Sequence, residues 1–399
     1  MQPVVPLISF SKQNFDKNKF FPRNYVDIYF TASYYFANSM LRLRSISLFQ
    51  FRNYTVQSFA FNERVIGICG LNGTGKTNLL DAIYYLSFTK SYLYRPDNQN
   101  VHHGLQGLRI EGNYTLNNDP HQLVCILREN NKKEFLVNGE EYKKFSEHIG
   151  KYPCVMIAPD DVELINGSSE ERRKLIDTVL SQINKVYLQH LIDYNKLLLQ
   201  RNSLLKQFAE QTKPDESLLE IITNQLVEKG QFIFEERKAF LEQFLPKVNS
   251  FYQKISGRNE SIGVAYQSQL SSRDMKGLLS DARQKEIILQ RTTIGIHRDD
   301  IDLMINNASF KSEASQGQKK SLLFALKLAE WQVLKEVNGF APILLLDDLF
   351  EKLDQERMHN LLHWVYTEED GQIFITDTHQ ERLIDTLKNV NISYQLIAL

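Results

Sequence analysis

No apolar run in the chain approaches the roughly 18 residues that a membrane-spanning helix needs, which argues against a membrane-spanning helix. Cysteine is scarce: Cys69, Cys125 and Cys154 are widely spaced and odd in number, which fits neither a disulfide framework nor a metal cluster and points to a reducing compartment. A surplus of charge of either sign is also missing. The net charge is -1 and the pI about 6.8, so any contact with nucleic acid has to come from local patches and not from a basic chain. A secretory leader is not recognisable either. The first 39 residues are crowded with aromatics from Phe10 to Phe36, yet have no basic start, no unbroken apolar stretch and no small-residue cleavage site. Organised sequence is expected to begin at Met40, with 1–39 an extension that is disordered or not native.

What remains is ordinary for a soluble globular protein of 399 residues: 42% hydrophobic and 24% charged. Leu41, Leu43, Ile46 and Leu48 predict a strand, and Val65 to Cys69 a second that runs into a glycine-rich turn. After the turn, Leu79, Leu80, Ile83, Tyr84 and Leu86 fall at helical spacing. Between about 108 and 157, short β-like runs alternate with turn signals such as Asn138-Gly139 and predict an antiparallel patch. From Glu170 to about Gly257 the spacing turns helical, either as an inserted arm or as helices packed on the core. The last third alternates again: strands at Ile301–Ile305, Ile343–Leu346 and Ile373–Thr376, with helices near 317–336 and 355–366.

Three motifs carry chemistry. Gly70-Leu71-Asn72-Gly73-Thr74-Gly75-Lys76-Thr77, with Asn78 next, is a phosphate loop between a strand and a helix. Its glycines let successive N–H groups turn toward phosphates, and the helix N-terminus favours an anion. Lys76 is expected to bridge the terminal phosphates of ATP and the Thr77 hydroxyl to ligate Mg²⁺. Ile343-Leu344-Leu345-Leu346-Asp347-Asp348 is an apolar strand ending in two carboxylates, with Asp347 placed for the metal shell and Asp348 for the attacking water. More than two hundred residues separate these motifs, which predicts a split head. The third motif, Ser315-Gln316-Gly317-Gln318, opens a helix and offers a hydroxyl and helix N-terminal amides for a γ-phosphate. One ATP does not fit between two helix N-termini of one head, so the third motif is expected to act in trans, from a second copy.

These motifs resemble those of the ATP-binding-cassette ATPases of DNA repair and chromosome maintenance, and among them the RecF family. The resemblance runs from about Met40 to the C-terminus. It includes Phe51-Arg52-Asn53-Tyr54, Ala158-Pro159-Asp160-Asp161-Val162, Arg172-Arg173-Lys174-Leu175-Ile176-Asp177, Gly295-Ile296-His297-Arg298-Asp299-Asp300 and Leu353-Asp354. It implies an α/β fold: a split ABC-type head of mixed sheets with flanking helices (40–169 and 290–399, lobe I) and an inserted helical arm (170–289, lobe II). It makes Ser315 to Gln318 the signature loop and Leu353-Asp354 the lining of a dimer seam. It places Asp160 where a glutamine commonly contacts metal, and either Asp377 or His379 as the switch residue. Gln316 stands where transporters usually carry glycine, and Asp348 where they carry glutamate, a shorter carboxylate from which slow turnover is expected.

By resemblance, the function is a cytoplasmic, nucleoid-associated ATPase. An ATP-dependent homodimer would bind duplex DNA at gaps and single-strand junctions, with mediators of the RecO and RecR type as partners in recombinase loading. Arg172, Arg173, Lys319 and Lys320 are the candidate DNA contacts, against a solvated helix face as the ordinary reading. His297 to Asp300 reads as a salt-bridged element in preference to a metal site. A transporter ATPase subunit is the alternative, disfavoured by the helical insertion and by Gly295 to Asp300. A GTPase would carry Asn-Lys-x-Asp, and Asn184-Lys185 and Asn195-Lys196 lack the aspartate.

Overall fold

The structure is a computed structural model; it describes residues 40–93, 95–210, 215–257, 260, 262–306, 308–348, 355–367, 370–389 and 392–399. The extension 1–39 and the Leu353-Asp354 pair lie outside the described residues.

The chain opens on an antiparallel pair, β1 (Leu41–Phe51) and β2 (Tyr54–Ala60), joined by a tight turn in which Arg52 takes a φ of 53°. Strand β3 (Val65–Cys69) then leads through the glycine loop into α1 (Lys76–Phe88). Strands β4 (Leu108–Leu116), β5 (Asp119–Leu127), β6 (Lys133–Val137) and β7 (Glu140–Glu141) return beside β1, giving a six-stranded antiparallel sheet in the order β2-β1-β4-β5-β6-β7. The predicted antiparallel patch therefore ends at β7. Strand β8 (Cys154–Ile157) crosses to the parallel sheet, and its four residues show why: all are apolar and buried, with no polar face to give to water.

Helices α2 (Glu163–Asn166), α3 (Ser169–Ile183), α4 (Lys185–Glu210) and α5 (Glu216–Ser256) follow. Helix α5 has 41 residues, a span of roughly 60 Å at 1.5 Å per residue, and starts where the Asp215 carboxylate accepts the Leu218 N–H at 2.9 Å. Residues 170–289 are not helical throughout. Strand β9 (Ile262–Gln267) precedes α6 (Met275–Leu289) and pairs with β10 (Asp300–Ile305), which also pairs with β11 (Ala308–Ser309). After the short α7 (Phe310–Glu313) comes α8 (Gln316–Asn338), a largely buried helix that packs along α5.

Strand β12 (Ile343–Leu346), helix α9 (Gln355–Thr367), strand β13 (Ile373–Asp377), helix α10 (Gln380–Asn389) and strand β14 (Tyr394–Ala398) complete a five-stranded parallel sheet in the order β14-β3-β13-β12-β8. Both faces of this sheet are covered. Ile343 and Leu345 point into a core shared with α1 and the antiparallel sheet, whereas Leu344 and Leu346 point into a second core shared with α3, α5, α8 and α9. The uninterrupted apolar run of β12 is the sequence trace of that double burial. One consequence positions the site: strand ends carrying Gly70, Asp347 and Asp377 all leave the sheet along the same edge.

One buried histidine makes the stability of the fold depend on pH. His148 is fully buried; its Nε2–H donates to the Leu86 carbonyl at 2.7 Å and its Nδ1 has no partner. Burial pushes its pKa down to about 4, with Lys151 acting in the same direction. An unfolded histidine takes up its proton near 6.5, so the stability His148 supports is complete above that pH and is lost as pH falls through 6.5 toward 4. The loss amounts to about 3 kcal/mol. Denaturation midpoints between pH 7.5 and 4.5 should therefore fall more steeply for wild type than for His148→Phe. Parallel pH profiles would contradict this.

Candidate nucleotide site

The phosphate loop is built against β1–β2 before any ligand is considered. Gly75, the N-cap of α1, has a φ of 112°, and a Cβ there would lie 2.5 Å from Asn53 Nδ2 and 2.8 Å from the Tyr54 hydroxyl. Only glycine fits. Those same neighbours hold the loop: Asn53 Nδ2 donates to the Thr74 carbonyl at 2.9 Å and Tyr54 Oη to the Gly75 carbonyl at 3.0 Å. Asn78, one turn into α1, donates to Asn53 Oδ1 at 2.7 Å and accepts from Arg52 Nη1 at 2.8 Å. Arg52 also meets the Asp81 carboxylate at 2.6 Å, with both side chains almost wholly buried. Burial pushes the Asp81 carboxyl up, and the Arg52 guanidinium and the Tyr92 N–H oppose the shift. At 2.6 Å the guanidinium, which keeps its proton, favours the charged form of the carboxylate.

Lys76 is buried and folded onto its own loop, donating to the carbonyls of Gly70 at 2.8 Å and Leu71 at 3.2 Å. Thr77 Oγ1 donates to Asp347 Oδ2 at 2.8 Å across 270 residues of sequence, so the two distant motifs meet directly. The outer side of the loop is open: Leu71 is 78% exposed and a Cβ on Gly73 would meet nothing within 4 Å. A glycine loop at a helix N-terminus, a lysine and a hydroxyl–carboxylate pair of hard oxygen donors fit a nucleoside triphosphate with Mg²⁺.

Thr376, on β13, is the residue that sequence reading missed. Its hydroxyl donates to Asp347 Oδ1 at 2.8 Å and accepts the Asp348 N–H at 2.9 Å, fixing both carboxylate-bearing residues from one atom. Asp348 sits at a φ of 42°, a left-handed conformation that turns it away from the strand direction. Burial holds the Asp347 carboxyl above the usual range, opposed by its hydrogen bonds to Thr376 and Thr77.

Asp160 is exposed on the turn after β8, which the Ile157 carbonyl ties to the Asp347 N–H at 2.9 Å. Its neighbour Asp161 anchors that turn, accepting the Ala158 N–H at 2.8 Å and the Tyr92 hydroxyl. At the end of β13, the buried Asp377 carboxylate accepts from Arg382 at 2.5 and 2.8 Å and from the His379 N–H at 2.9 Å, while the His379 ring is 70% exposed. Of the two switch candidates, Asp377 is thus committed to the loop and His379 faces out.

Ser315 is exposed at the N-cap of α8 in a capping box: its hydroxyl accepts the Gln318 N–H at 3.2 Å, and Gln318 Oε1 accepts the Ser315 N–H at 2.8 Å. Gln316 is exposed as well, so glycine is not sterically required there. At Gly317 a Cβ would meet the Arg357 guanidinium of α9, so a side chain there would displace the end of that arginine.

The basic candidates are largely engaged inside the chain. Arg172 pairs with Asp300 through Nε at 2.8 Å and Nη2 at 3.0 Å, and Arg173 donates to the Asp299 carbonyl at 2.5 Å and to Ser169. Lys319 donates to the Lys311 carbonyl at 2.7 Å, and Lys320 lines a cavity of about 180 Å³ with Gln316, Pro159 and Asp347. The segment His297 to Asp300 is a structural hub. Tyr194 bonds His297 at 2.8 Å, Arg237 bridges Asp177 at 2.8 Å and Asp299 at 3.4 Å, and Tyr266 donates to Asp299 at 2.5 Å.

Comparison with known proteins agrees with this geometry. The RecF/RecN/SMC N terminal domain matches residues 42–396. The DNA replication and repair protein RecF of Flavobacterium johnsoniae is 43% identical over 90% of this chain and all of its own length, and that of Parabacteroides distasonis 41% identical over 89% of this chain and 96% of its own. The recombination mediator protein RecF of the RecFOR pathway, solved with ATP, superposes with a TM-score of 0.79 at 33% identity, covering 86% of this chain and 93% of that one. The Smc head domain of Pyrococcus furiosus, at 15% identity and a TM-score of 0.52 over 90% of this chain and 93% of that one, shares the fold. The chain belongs to the RecF family, ABC-type ATPases of DNA replication and repair.

Proposed function

We propose that the chain is an ATP-gated DNA-binding protein of recombinational repair and replication restart. Two copies close head to tail, each Lys76 loop being capped by the partner copy's Ser315 turn. The observation that carries this reading is the exposure of both halves: the open side of the phosphate loop at Leu71 and Gly73, and Ser315 at the outer end of α8. A hydroxyl and a helix N-terminus left facing solvent are equipment for an anion delivered by another molecule.

Within each site, Lys76 exchanges its loop carbonyls for the terminal phosphates. Thr77 and Asp347 hold Mg²⁺, which supplies charge neutralisation on the phosphates. Asp160 reaches the metal shell, Asp348 orients the attacking water, and His379 reports on the γ-phosphate while Asp377 positions its loop. Residues 40–169 and 290–399 form the head and 170–289 the second lobe. Leu353 and Asp354 line the seam. The closed pair holds duplex DNA at gaps and single-strand junctions in the cytoplasm, on the nucleoid, and cooperates with RecO- and RecR-type mediators to load recombinase. Slow hydrolysis then times release. Because Arg172, Arg173 and Lys319 already have internal partners, their contacts to phosphate would be made in competition with those bonds. Lys320 shares a cavity with Asp347.

Sedimentation with ATP, with and without gapped duplex, tests the reading. Wild type should shift to a dimer and bind DNA, whereas Ser315→Arg should bind ATP and stay monomeric. Equal dimerisation of both would refute the trans site.

A further inference from the structure

A polar thread runs from the phosphate loop to the helix that carries Ser315. It starts with Asn53 on the Thr74 carbonyl, continues through Asn78 and Arg52, and reaches the Asp81 carboxylate, which accepts the Tyr92 N–H at 2.6 Å. Tyr92 then turns its hydroxyl the other way. That oxygen donates to Asp161, the residue anchoring the turn beside Asp347, and accepts from Lys327 Nζ of α8 at 3.3 Å. Lys327 is buried, lies three turns along α8 from Ser315, and forms an ion pair with Glu330 at 3.5 Å. The hydroxyl faces a cavity of about 470 Å³ bordered by Asp160, Asp161, Lys327 and Glu330.

Helix packing alone does not require this arrangement. A half-buried position beside α1 and α8 could be filled by an aromatic ring without a polar tip, yet here one phenol oxygen is shared by an acid from the metal-side turn and a cation from the signature helix. Movement of the phosphate loop or of the Asp161 turn therefore changes the bond that Lys327 donates to Tyr92. Helix α8 is one unbroken helix of 23 residues with Ser315 at its N-cap, so a tilt set at Lys327 is delivered at Ser315.

We propose that Tyr92 is a positioning residue that links the nucleotide loop of a head to the orientation of its own signature helix, and so to the capping of the partner copy's nucleotide. This rests on the trans site proposed above. It differs from a packing role in what it affects: ATP binding by the single head is untouched, and the step that needs α8 correctly aimed is impaired.

Tyr92→Phe keeps the ring and removes only the shared oxygen. Equilibrium dialysis with ATP at protein concentrations too low for dimers should give a Kd within twofold of wild type, while sedimentation should show ATP-dependent dimerisation weakened at least tenfold. Lys327→Met should do the same, Lys327→Arg should retain dimerisation, and Tyr92→Phe with Lys327→Met together should lose no more than Lys327→Met alone, because the lysine variant already cuts the link to Tyr92 along with its ion pair to Glu330. Should Tyr92→Phe fold poorly, the two lysine variants carry the comparison. Wild-type dimerisation in Tyr92→Phe or Lys327→Met, or additive losses in the double variant, would overturn the link. Failure of wild type itself to dimerise with ATP would instead remove the trans site on which it rests.

Discussion

Asp348→Asn should lower kcat for ATP hydrolysis by on the order of 10²–10⁴-fold while leaving ATP affinity within a few-fold of wild type. The reason is positional. Asp347 shares its oxygens between Thr77 and Thr376 and is the carboxylate suited to the metal, so removing the charge from its neighbour leaves the phosphate and metal contacts in place. Asp348 is instead turned off the strand at a φ of 42° with its N–H pinned by the Thr376 hydroxyl. An amide there can still bond a water but cannot accept its proton. The variant should accumulate as an ATP-bound dimer whose DNA complex outlasts that of wild type. Loss of ATP binding in parallel with activity would assign Asp348 to the metal shell. The same carboxylate is one methylene shorter than the glutamate of transporter ATPases, and slow basal turnover in the wild-type protein is the companion expectation.

Arg52→Ala should destabilise the protein by about 3–5 kcal/mol, because it leaves the fully buried Asp81 without its cation. It should also weaken ATP binding, although Arg52 does not lie in the phosphate loop. The guanidinium holds Asn78, Asn78 holds Asn53, and Asn53 holds the Thr74 carbonyl, so the loop loses its backing. Asn53→Ala removes only the last of these bonds and should cost about 1 kcal/mol of stability with a similar effect on nucleotide affinity. Denaturation midpoints and ATP titrations of the two variants distinguish the cases. Equal stability losses would mean that the Arg52–Asp81 pair is not the anchor.

The sequence made the chemistry of the site readable and left its scaffolding obscure, for physical reasons. A phosphate loop is local: glycines, lysine and threonine must be contiguous to present amides to one anion, so Gly70 to Thr77 stands out. The apolar run Ile343 to Leu346 is legible because double burial leaves no polar alternation. Thr376 gave no signal, since a single hydroxyl at a strand end looks the same whether it bonds the Asp347 carboxylate and the Asp348 N–H or water. Asp81 did leave one, an acid inside the apolar stripe of α1, but its partner Arg52 lies in a different element and only the fold joins them. Strand β9 was hidden within a helical texture because its pairing partner β10 lies beyond α6, and the alternation of six residues is weak. Arg172 and Arg173 read as a surface basic pair; the carboxylate of Asp300 that engages Arg172 lies 128 residues away.

The shared site is tested most directly by mixing two inactive variants, Lys76→Met and Ser315→Arg, and measuring ATP hydrolysis. Alone, neither variant can assemble a complete site. A heterodimer pairs the intact Lys76 loop of the serine variant with the intact Ser315 turn of the lysine variant, so one complete site reappears. Composite sites predict ATPase activity in the mixture that neither variant shows alone. A mixture no more active than its separate components would contradict them.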